Sequence, residues 1–250
     1  MIKYKTIIVS DIHLGTKASK VNQVVRFLKL NPCELLVLNG DIIDGWRLKK
    51  RGKWRKKDTR FFKTLLDLLS QYNTRVVYLR GNHDEFIEEI APLLVGNFEI
   101  RRDMILELPV TRKKYFILHG DVFDSVTSRI TWLSRLGGTG YEILLAYNKR
   151  YNRRRIRKGL PYKSVSQVWK DNVKIMVNYL SKFEDRAHDF AKMNHCHGII
   201  CGHVHKPADK MLDGIHYLNS GDWVESLSAL VLGFDEKWEI IHCRDPHDES

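Results

Sequence analysis

The sequence predicts an α/β fold, and two repeated observations lead to this prediction. First, five short apolar runs rich in β-branched residues end in glycine or turn residues, which is typical of strands buried on both faces. Second, a cluster of Asp, His or Asn residues follows each run, at the edge where open α/β sheets bind their ligands. The runs are Thr6–Val9, Leu35–Leu38, Val76–Leu79, Phe116–Leu118 and Ile199–Cys201.

The segments between the first three predicted strands have helical spacing. In Val21–Leu30 the apolar residues recur on one helical face, and Pro32 ends the segment. Thr59–Leu69 repeats this spacing, with Asp58 as the expected N-cap. Because strands and helices alternate, we expect a doubly wound sheet with right-handed crossovers.

After Phe98 the pattern changes to short strands without helices between them. A long stretch then interrupts the strand pattern, and a capping box at Ser164 and Gln167 begins an apolar helical stripe within it. Since this stretch is too long for a loop, we expect one domain over residues 1–250 with a helical cap inserted at residues 125–193. The chain then returns to predicted strands at Ile215–Leu218, Ala229–Leu232 and Trp238–His242.

The formal charge of +12 is concentrated in two basic runs. Lys49–Lys57 holds seven basic residues in nine, and Lys149–Lys158 holds seven in ten. Taken singly, either run is equally consistent with a solvated loop. Because both flank predicted site elements, we expect a basic rim that attracts an anionic substrate or an anionic membrane surface.

The composition excludes several classes of protein. The hydrophobic fraction of 43% is ordinary for a globular chain, and no run approaches the roughly 18–20 apolar residues of a membrane span. The first residues lead directly into a strand and lack the pattern of a secretory signal. Four cysteines at irregular spacing fit reduced thiols. We therefore expect a cytoplasmic protein, with peripheral association at the inner face of the membrane as a further hypothesis.

Seven polar side chains at the predicted strand ends form a candidate metal centre. Carboxylates and imidazoles are ligands that hard or borderline divalent cations prefer. In an extended segment, Asp11-x-His13 and His203-x-His205 each place two side chains on one side, so both can reach one ion. A single such pair is usually a hydrogen-bonded core histidine, whereas six ordered clusters are not explained that way. The candidates are Asp11, His13, Asp41 (the natural bridge between two ions), Asn82, His119, His203 and His205.

The ordered motifs resemble those of the calcineurin-like metallophosphoesterases. They are Asp-x-His, Gly-Asp-x-x-Asp, Gly-Asn-His-Asp, His-Gly-Asp and Gly-His-x-His, and they span most of the chain. The resemblance implies a four-layer α/β/β/α sandwich with a dinuclear metal centre. Mn²⁺ is the expected metal, with Fe, Zn, Ni or Co as alternatives. The implied ligands are Asp11, His13, Asp41 and His205 for one ion, and Asp41, Asn82, His119 and His203 for the other.

The same resemblance implies a hydrolase. Two ions about 3.5–4 Å apart would hold the phosphoryl oxygens and activate a bridging hydroxide for in-line attack on phosphorus. His83, next to Asn82, resembles the family's general acid, and Asp44 resembles the carboxylate that orients its ring. A packing role is the alternative for His83. Asp84 is expected to be a structural hydrogen-bond acceptor.

Longer stretches around these motifs resemble the bacterial UDP-2,3-diacylglucosamine pyrophosphatases. The stretches are residues 40–46, 81–85, 119–124 and 221–226. In that group a helical insertion after His-Gly-Asp caps the site and receives two acyl chains, and residues 125–193 occupy the matching place. Those enzymes usually carry Arg where this chain has His83. We therefore expect a relative of theirs whose substrate is an anionic, phosphate-containing small molecule or glycolipid.

Four residues are candidate substrate contacts. Asn82 and His83 flank the metal centre, and Trp46 is a candidate wall of the pocket, with a core position as its alternative. Arg101 is placed to bind a diphosphate through bidentate contacts.

Two other functions stay open at this point. A nuclease or nucleotide phosphodiesterase would use the same basic rim to bind nucleic acid or nucleotides. An inactive interaction scaffold on the same fold is the third hypothesis, and the intact ligand set argues against it. The sequence does not indicate an oligomeric state.

Overall fold

The structure is a computed structural model that describes residues 1–50, 52–124 and 165–243, together with the single residues 153, 155, 157 and 159. The chain divides into two compact units, one formed by Met1–Phe123 with Arg186–Ser250 and the other by Asp124–Asp185. Among the described helices, none combines the length and the apolar character that crossing a bilayer requires.

Twelve strands and four α-helices follow one another in the described residues. The strands are β1 (Tyr4–Val9), β2 (Cys33–Asn39), β3 (Arg75–Leu79), β4 (Leu93–Val95), β5 (Phe98–Arg101), β6 (Met104–Glu107), β7 (Lys114–Ile117), β8 (Gly198–Cys201), β9 (Ala208–Leu212), β10 (Ile215–Asn219), β11 (Ser228–Leu232) and β12 (Trp238–His242). The helices are α1 (Val21–Leu30), α2 (Gly45–Lys50), α3 (Lys56–Gln71) and α4 (Val165–Met193). Two 3₁₀ helices cover Glu85–Ile90 and Asp121–Phe123.

The first sheet has seven strands in the order β12-β11-β1-β2-β3-β5-β4. Strands β1, β2, β3 and β5 are parallel, with Ile7 opposite Leu36 and Val37 opposite Val77. Helices α1 and α3 connect the first three of them, so the predicted alternation of strands and helices is confirmed. Both helices belong to one apolar cluster on a single face of the sheet, so the predicted doubly wound arrangement was wrong. Antiparallel strands close both edges.

The second sheet has five strands in the order β6-β7-β8-β10-β9. Its central strands β7, β8 and β10 are parallel, and β6 and β9 are antiparallel to their neighbours. The carboxyl ends of these three parallel strands therefore lie at one edge of this sheet. The short strands predicted after Phe98 are β5, β6 and β7.

Alternate residues of the inner strands pack against different layers, because successive side chains of a strand point to opposite faces. Leu36 of β2 belongs to the apolar cluster that includes residues of α1 and α3. Val37, its neighbour, belongs to a second cluster that contains Ile117 of β7 and Ile200 of β8. The two sheets therefore pack face to face, with α1 and α3 outside the first sheet.

The carboxyl-terminal part of α4 covers the outer face of the second sheet. Phe116 of β7 lies between two residues of the cluster that joins the sheets, so its side chain points the other way. The ring of Phe190 packs edge-on against it, with the centroids 4.9 Å apart. The layers are thus helix, sheet, sheet and helix, and the predicted α/β/β/α sandwich is confirmed.

The start of α3 differs from the prediction. The helix begins at Lys56 with Arg55 as its N-cap, so Asp58 lies in the first turn and the predicted N-cap was wrong. The Asp58 carboxylate accepts a hydrogen bond from the backbone N–H of Arg55 at 2.8 Å. An acidic residue three positions after the N-cap can accept a hydrogen bond from the backbone N–H of the N-cap residue. The apolar spacing from Thr59 did not indicate that the helix begins before Asp58.

Several short elements were not predicted. Helix α2 covers Gly45–Lys50 and overlaps the start of the basic run Lys49–Lys57, and it has too few residues for apolar periodicity to be visible. Strand β4, Leu93–Val95, has three residues and pairs only with β5 among the described strands.

The helix predicted from the long apolar stripe is present as α4. The proposed capping box at Ser164, and most of residues 125–193, lie outside the described residues, so the cap remains a prediction. Within the smaller unit, Tyr179 donates a hydrogen bond to Asp124. Burial and this carboxylate raise the pKa of Tyr179, which stays protonated as a donor.

Glu236 connects the turn between β11 and β12 to the turn between β6 and β7. Its carboxylate accepts hydrogen bonds from the backbone N–H groups of Val110 at 3.0 Å and Thr111 at 2.9 Å, and from the Thr111 hydroxyl at 2.8 Å. Lys5 lies 3.2 Å away. Burial raises the pKa of Glu236, but these donors outweigh it and lower the pKa to about 2. One carboxylate therefore joins the two sheets.

We expect Glu236→Gln to lower the midpoint of urea unfolding at neutral pH, because the amide loses the charge that these donors stabilise. The folded-state pKa lies below the ordinary 4.5, so this stabilisation is present above pH 4.5 and is lost as the pH falls toward about 2. The difference between the variant and the wild type should shrink over that range. Glu239→Gln, on the exposed side of β12, is the matched control.

Candidate metal centre

The seven candidate ligands lie together where the parallel strands of both sheets end. Asp11 and His13 follow β1, Asp41 follows β2 and Asn82 follows β3, while His119 follows β7 and His203 and His205 follow β8. Backbone hydrogen bonds join these loops, from Asp11 N–H to Gly40 O at 3.1 Å and from Gly202 N–H to His119 O at 2.9 Å. The structure therefore brings the predicted residues of two sheets to one place.

Five of the seven candidates have left-handed backbone conformations. Outside glycine this conformation costs about 1–2 kcal/mol per residue, and such strain concentrates at functional sites. The Asp11-x-His13 and His203-x-His205 pairs are therefore not extended, so the predicted extended geometry was wrong although both pairs lie at the common edge. The five are Asp11, His13, Asp41, His203 and His205, with φ between 52° and 66°.

One group of ligands forms around Asp11. Its Oδ1 lies 3.1 Å from Nε2 of His205 and 3.9 Å from Nε2 of His13. These three side chains offer ligand atoms within 4.8 Å of one another. Asp41 Oδ2 lies 3.9 Å from the same nitrogen of His13, which places all four ligands implied for the first ion together.

A second group forms around His119. Its Nδ1–H donates a hydrogen bond to the backbone carbonyl of Asn39 at 2.9 Å, which fixes the ring and directs Nε2 into the cluster. That Nε2 lies 3.4 Å from Asp41 Oδ1. His119, Asp41 and Asp11 again lie within 4.8 Å of one another, and the ring of His203 is 5.1 Å from that of His119.

Both carboxylates take part in more than one group, and this adds to the prediction, which named only Asp41 as the bridge. Asp11 and Asp41 each appear in two of the three groups of potential ligands. The third group is His13, Asp41 and His83, so the candidate general acid lies within reach of the ligand cluster.

The atoms of this cluster fit divalent cations. Asp11 Oδ1, Asn82 Oδ1 and His119 Nε2 are buried and have no hydrogen-bond partner in the part of the chain that the structure describes, although each could accept one. Leaving such atoms buried without a partner is costly, and a cation would satisfy all three. The candidate metal ligands are carboxylate and amide oxygens and imidazole nitrogens, without a thiolate. This set of ligands suits Mn²⁺ and similar ions.

The carboxylates of the cluster remain ionised. Burial raises the pKa of Asp11, but His205 and His119 outweigh it and lower the value to about 2. The pKa of Asp41 is also lowered, because the attraction of His119 and His13 exceeds the effect of burial. Burial lowers the pKa values of His119 and His205, but the nearby carboxylates have the larger effect, so both pKa values are raised. The site therefore holds two negative charges that attract protons or metal ions.

We expect the affinity for Mn²⁺ to fall as the pH falls from about 8 to about 6. Metal ions compete with protons for imidazole nitrogens, by up to about tenfold per pH unit for each displaced proton. Since the pKa values of His119 and His205 are raised, this competition begins above the ordinary value of 6.5. Calorimetric titration in several buffers would measure both the affinity and the protons released. An affinity independent of pH, without proton release, would contradict the expectation.

His83 and Asp44 lie beside the cluster, as predicted. His83 Nδ1 is 3.2 Å from Asp44 Oδ1, and Asp44 Oδ2 is 3.6 Å from Nδ1 of His13. Burial lowers the pKa of His83, but Asp44 and Asp41 outweigh it and raise the pKa. The pKa of Asp44 is lowered, because hydrogen bonding to His13 and His83 outweighs burial. Asp44 thus faces both a candidate ligand and the candidate acid.

The two other predicted substrate contacts differ in their placement. Trp46 is 44% exposed, so its core alternative is excluded, and its ring lies 4.3 Å from that of His83. Its role as a wall of the pocket stays a prediction. Arg101 instead pairs with Glu99, and no contact in the described residues joins it to the ligand cluster. Its role in binding a diphosphate therefore stays a prediction.

Two features of the site were missed by the sequence analysis. Arg80 lies 3.2 Å from Asp121 and 3.4 Å from Glu88, and it joins the loops that follow β3 and β7. Gly40, with φ of 77°, has no room for a side chain, since a Cβ there would lie 2.5 Å from the ring of His119. The repeated Gly-Asp pattern in the sequence could have indicated that Gly40 is required. Glycine is needed there because the loops pack too closely for a side chain.

Comparison with known proteins agrees with this geometry. A family model described as calcineurin-like phosphoesterase matches residues 4–207. No curated protein matches the chain. Similar solved structures include an archaeal phosphodiesterase, with 15% identity over 95% of this chain and 98% of that chain and a TM-score of 0.43.

Two further structures have the same TM-score of 0.43. The phosphoesterase Yfce from E. coli is 16% identical over 96% of this chain and 99% of its own. Vps29 from Entamoeba histolytica, in complex with zinc, is 12% identical over 96% and 99%. The family assignment depends on the family match, which covers most of the sequence and every motif from Asp11 to His205. The chain belongs to the calcineurin-like phosphoesterase family.

Proposed function

We propose that this metal-dependent phosphoesterase uses two metal ions to cleave a phosphoester or pyrophosphate bond in an amphiphilic substrate similar to UDP-2,3-diacylglucosamine. The observation that carries the proposal is the assembly of seven ligand-type side chains with His83 and Asp44 beside them. Such a constellation meets the needs of phosphoryl transfer, which are charge stabilisation, a nucleophile and a proton donor.

The chain's own residues would divide these tasks. Two divalent ions, Mn²⁺ in our proposal, would stabilise charge on the phosphoryl oxygens and lower the pKa of a water molecule. Asp41 lies between the two ligand groups and would hold both ions in one arrangement. The remaining ligands are Asp11, His13 and His205 on one side, and Asn82, His119 and His203 on the other.

His83 would supply the proton that the leaving oxygen needs. Its raised pKa favours the protonated ring near neutral pH. With Nδ1 facing Asp44, the opposite atom Nε2 lies 3.9 Å from Asp41 Oδ2, at the edge of the ligand cluster. Nε2 is therefore the atom that would donate to the leaving group.

The basic run Lys49–Lys57 supports an anionic substrate. Arg55 donates a hydrogen bond to the carbonyl of Thr16 at 3.0 Å, and Lys57 donates to that of Ser19 at 2.8 Å, so both hold the loop that follows His13. Lys49, Lys50, Lys53 and Lys56 remain exposed nearby. Of the second run, only a few single residues are described.

The resemblance to the UDP-2,3-diacylglucosamine pyrophosphatases supports the finer substrate class. It also supports a cytoplasmic enzyme that binds the inner face of the membrane. If exposed lysines make this contact, neutralising Lys49, Lys50, Lys53 and Lys56 together should reduce sedimentation with anionic liposomes and leave metal binding intact. Equal sedimentation of the wild type and the variant would contradict membrane binding through these lysines.

The decisive experiment compares substrates with one metal-loaded preparation. Protein stripped of metal and reloaded with Mn²⁺ would be given a UDP-linked diacyl sugar, the same nucleotide sugar without acyl chains, and bis-p-nitrophenyl phosphate. Faster turnover of the acylated diphosphate supports the proposal. Equal turnover of the nucleotide sugars with and without acyl chains would support pyrophosphatase activity but contradict an amphiphilic substrate.

Nucleotide or nucleic acid hydrolysis is the second candidate, and the exposed lysines of the basic run favour it as well. Turnover of the diester without turnover of either diphosphate would support this alternative. Binding to single-stranded DNA that weakens steeply with salt would support it independently.

A further inference from the structure

Asp84 joins two of the loops that carry candidate ligands. Its Oδ2 accepts hydrogen bonds from the backbone N–H of Ile42 at 2.8 Å and of Ile43 at 3.4 Å. Its Oδ1 accepts one from the N–H of Gly81 at 2.6 Å. Ile42 follows Asp41 directly, and Gly81 precedes Asn82 directly. One fully buried carboxylate therefore connects the backbone beside the bridging ligand to the backbone beside the amide ligand.

Tyr78 donates a hydrogen bond to this carboxylate from within the first sheet. It lies in β3, is 3% exposed, and its hydroxyl donates to Asp84 Oδ2 at 2.7 Å. Its ring packs in the apolar cluster between the first sheet and helices α1 and α3. The hydroxyl therefore ties Asp84 to the rigid interior of the sheet, whereas the other donors to Asp84 come from the loops that it organises.

A direct contact shows that small movements of these loops reach the metal centre. The backbone N–H of His83 donates to Asp41 Oδ1 at 2.8 Å, and this same oxygen lies 3.4 Å from His119 Nε2. Any shift of the loop after β3 would therefore move a ligand oxygen of Asp41. Metal ligands need outer partners to hold their orientation, and losing one such partner typically weakens metal binding or activity 10–100-fold.

We propose that Tyr78 is a positioning residue for the metal centre, acting through Asp84 on the spacing between Asp41 and Asn82. Among the described residues, its hydroxyl hydrogen-bonds to Asp84 and to no candidate ligand. The inference rests on the proposed two-metal function and deepens it, because it assigns the geometry of the second ion site to a hydrogen bond from within the sheet.

The test compares Tyr78→Phe with Tyr115→Phe. Tyr115 is also 3% exposed, and its hydroxyl also hydrogen-bonds to a side chain, His216 Nδ1, at 2.9 Å. It lies near the start of β7, away from the carboxyl ends that bear the ligands. Both variants lose one buried hydroxyl, so a purely structural role predicts similar effects on thermal unfolding and no difference in metal binding.

We expect Tyr78→Phe to weaken the second Mn²⁺ binding step by roughly tenfold or more in calorimetric titration. The value of kcat should fall by a comparable factor while KM changes little, since no substrate contact is lost. Tyr115→Phe should leave both metal steps and kcat unchanged. Equal metal affinities in the two variants, beside equal losses of thermal stability, would overturn the proposal.

A second variant protects the test against misfolding. Asp84→Asn keeps the shape of the side chain and one acceptor oxygen, and it should weaken the same metal step. If the wild type binds two ions and hydrolyses none of the phosphoesters, the proposed substrate fails while the role of Tyr78 is still decided by metal affinity. If the wild type binds no divalent ion, the proposed function and this inference fail together, and the titration shows it directly.

Discussion

Asp41→Asn is expected to abolish hydrolysis and to remove metal from the protein. Asp41 Oδ1 faces His119, Oδ2 faces His13, and the backbone N–H of His83 donates to Oδ1. Asn preserves the size and one oxygen but removes the negative charge that both ligand groups share. The loss should exceed the 10–100-fold that removal of an outer partner typically causes. Metal content per chain, measured after dialysis by mass spectrometry, and turnover of the diphosphate are the two readouts.

The same variant should also destabilise the metal-free protein at neutral pH. Asp41 repels Asp11 and raises the pKa of that neighbour, but the pKa of Asp41 itself is lowered, because the attraction of His119 and His13 for its carboxylate exceeds the effect of burial. Asn removes a charge that stabilises the folded state above the ordinary Asp pKa of 3.8, so the thermal midpoint without metal should fall further than in the control. Asp67→Asn, on the exposed face of α3, is the matched control for loss of one carboxylate. Two ions per chain in Asp41→Asn would show that the bridge is elsewhere, with Asp11 as the next candidate.

His83→Ala is expected to lower kcat by roughly 10²–10⁴-fold without changing the metal content, because general acid catalysis contributes that much. The loss should depend on the leaving group. A p-nitrophenolate leaves readily without a proton, so turnover of bis-p-nitrophenyl phosphate should fall much less than turnover of the natural type of diphosphate. An equal loss on both substrates would assign His83 to binding or to packing.

Substitution by arginine separates the charge of His83 from its proton. Arginine carries a positive charge but does not give up its proton in this range. His83→Arg should therefore restore substrate binding and leave most of the loss in kcat if His83 is the acid. In the wild type the rate should fall as the pH rises through the raised pKa of His83, and both variants should lack this decline.

The grouping of the candidate ligands was predictable because each motif follows a strand. Parallel strands place their carboxyl ends at one edge, so Asp11, Asp41 and Asn82 had to meet. The resemblance to a family then implied that His119 and the pair His203 and His205 share ions with them. The face-to-face packing of the sheets brings the loops after β7 and β8 to the same place, and the ligand roles themselves stay predictions.

Other features could not be predicted because they depend on contacts across the chain. The capping role of Asp58 and the short helix α2 carry no apolar periodicity. The hydrogen bond between Tyr78 and Asp84 is a buried tertiary contact. The sequence around a tyrosine in an apolar strand does not indicate which residue its hydroxyl will contact. Arg101 was assigned by charge alone, and Glu99, two residues before it, holds its guanidinium.

The origin of the ligands in two sheets has a consequence for how the protein is made. His13 and His205 lie 192 residues apart in the chain and come within 3.5 Å of each other. A nascent chain that ends before β8 has the first carboxylates but lacks two of the imidazoles, so neither of the two proposed ion sites can be complete. Contacts this distant in sequence form late in folding. Metal capture therefore marks the end of folding, and a ribosome-stalled chain shortened to residue 197 should retain Mn²⁺ no better than an unfolded one.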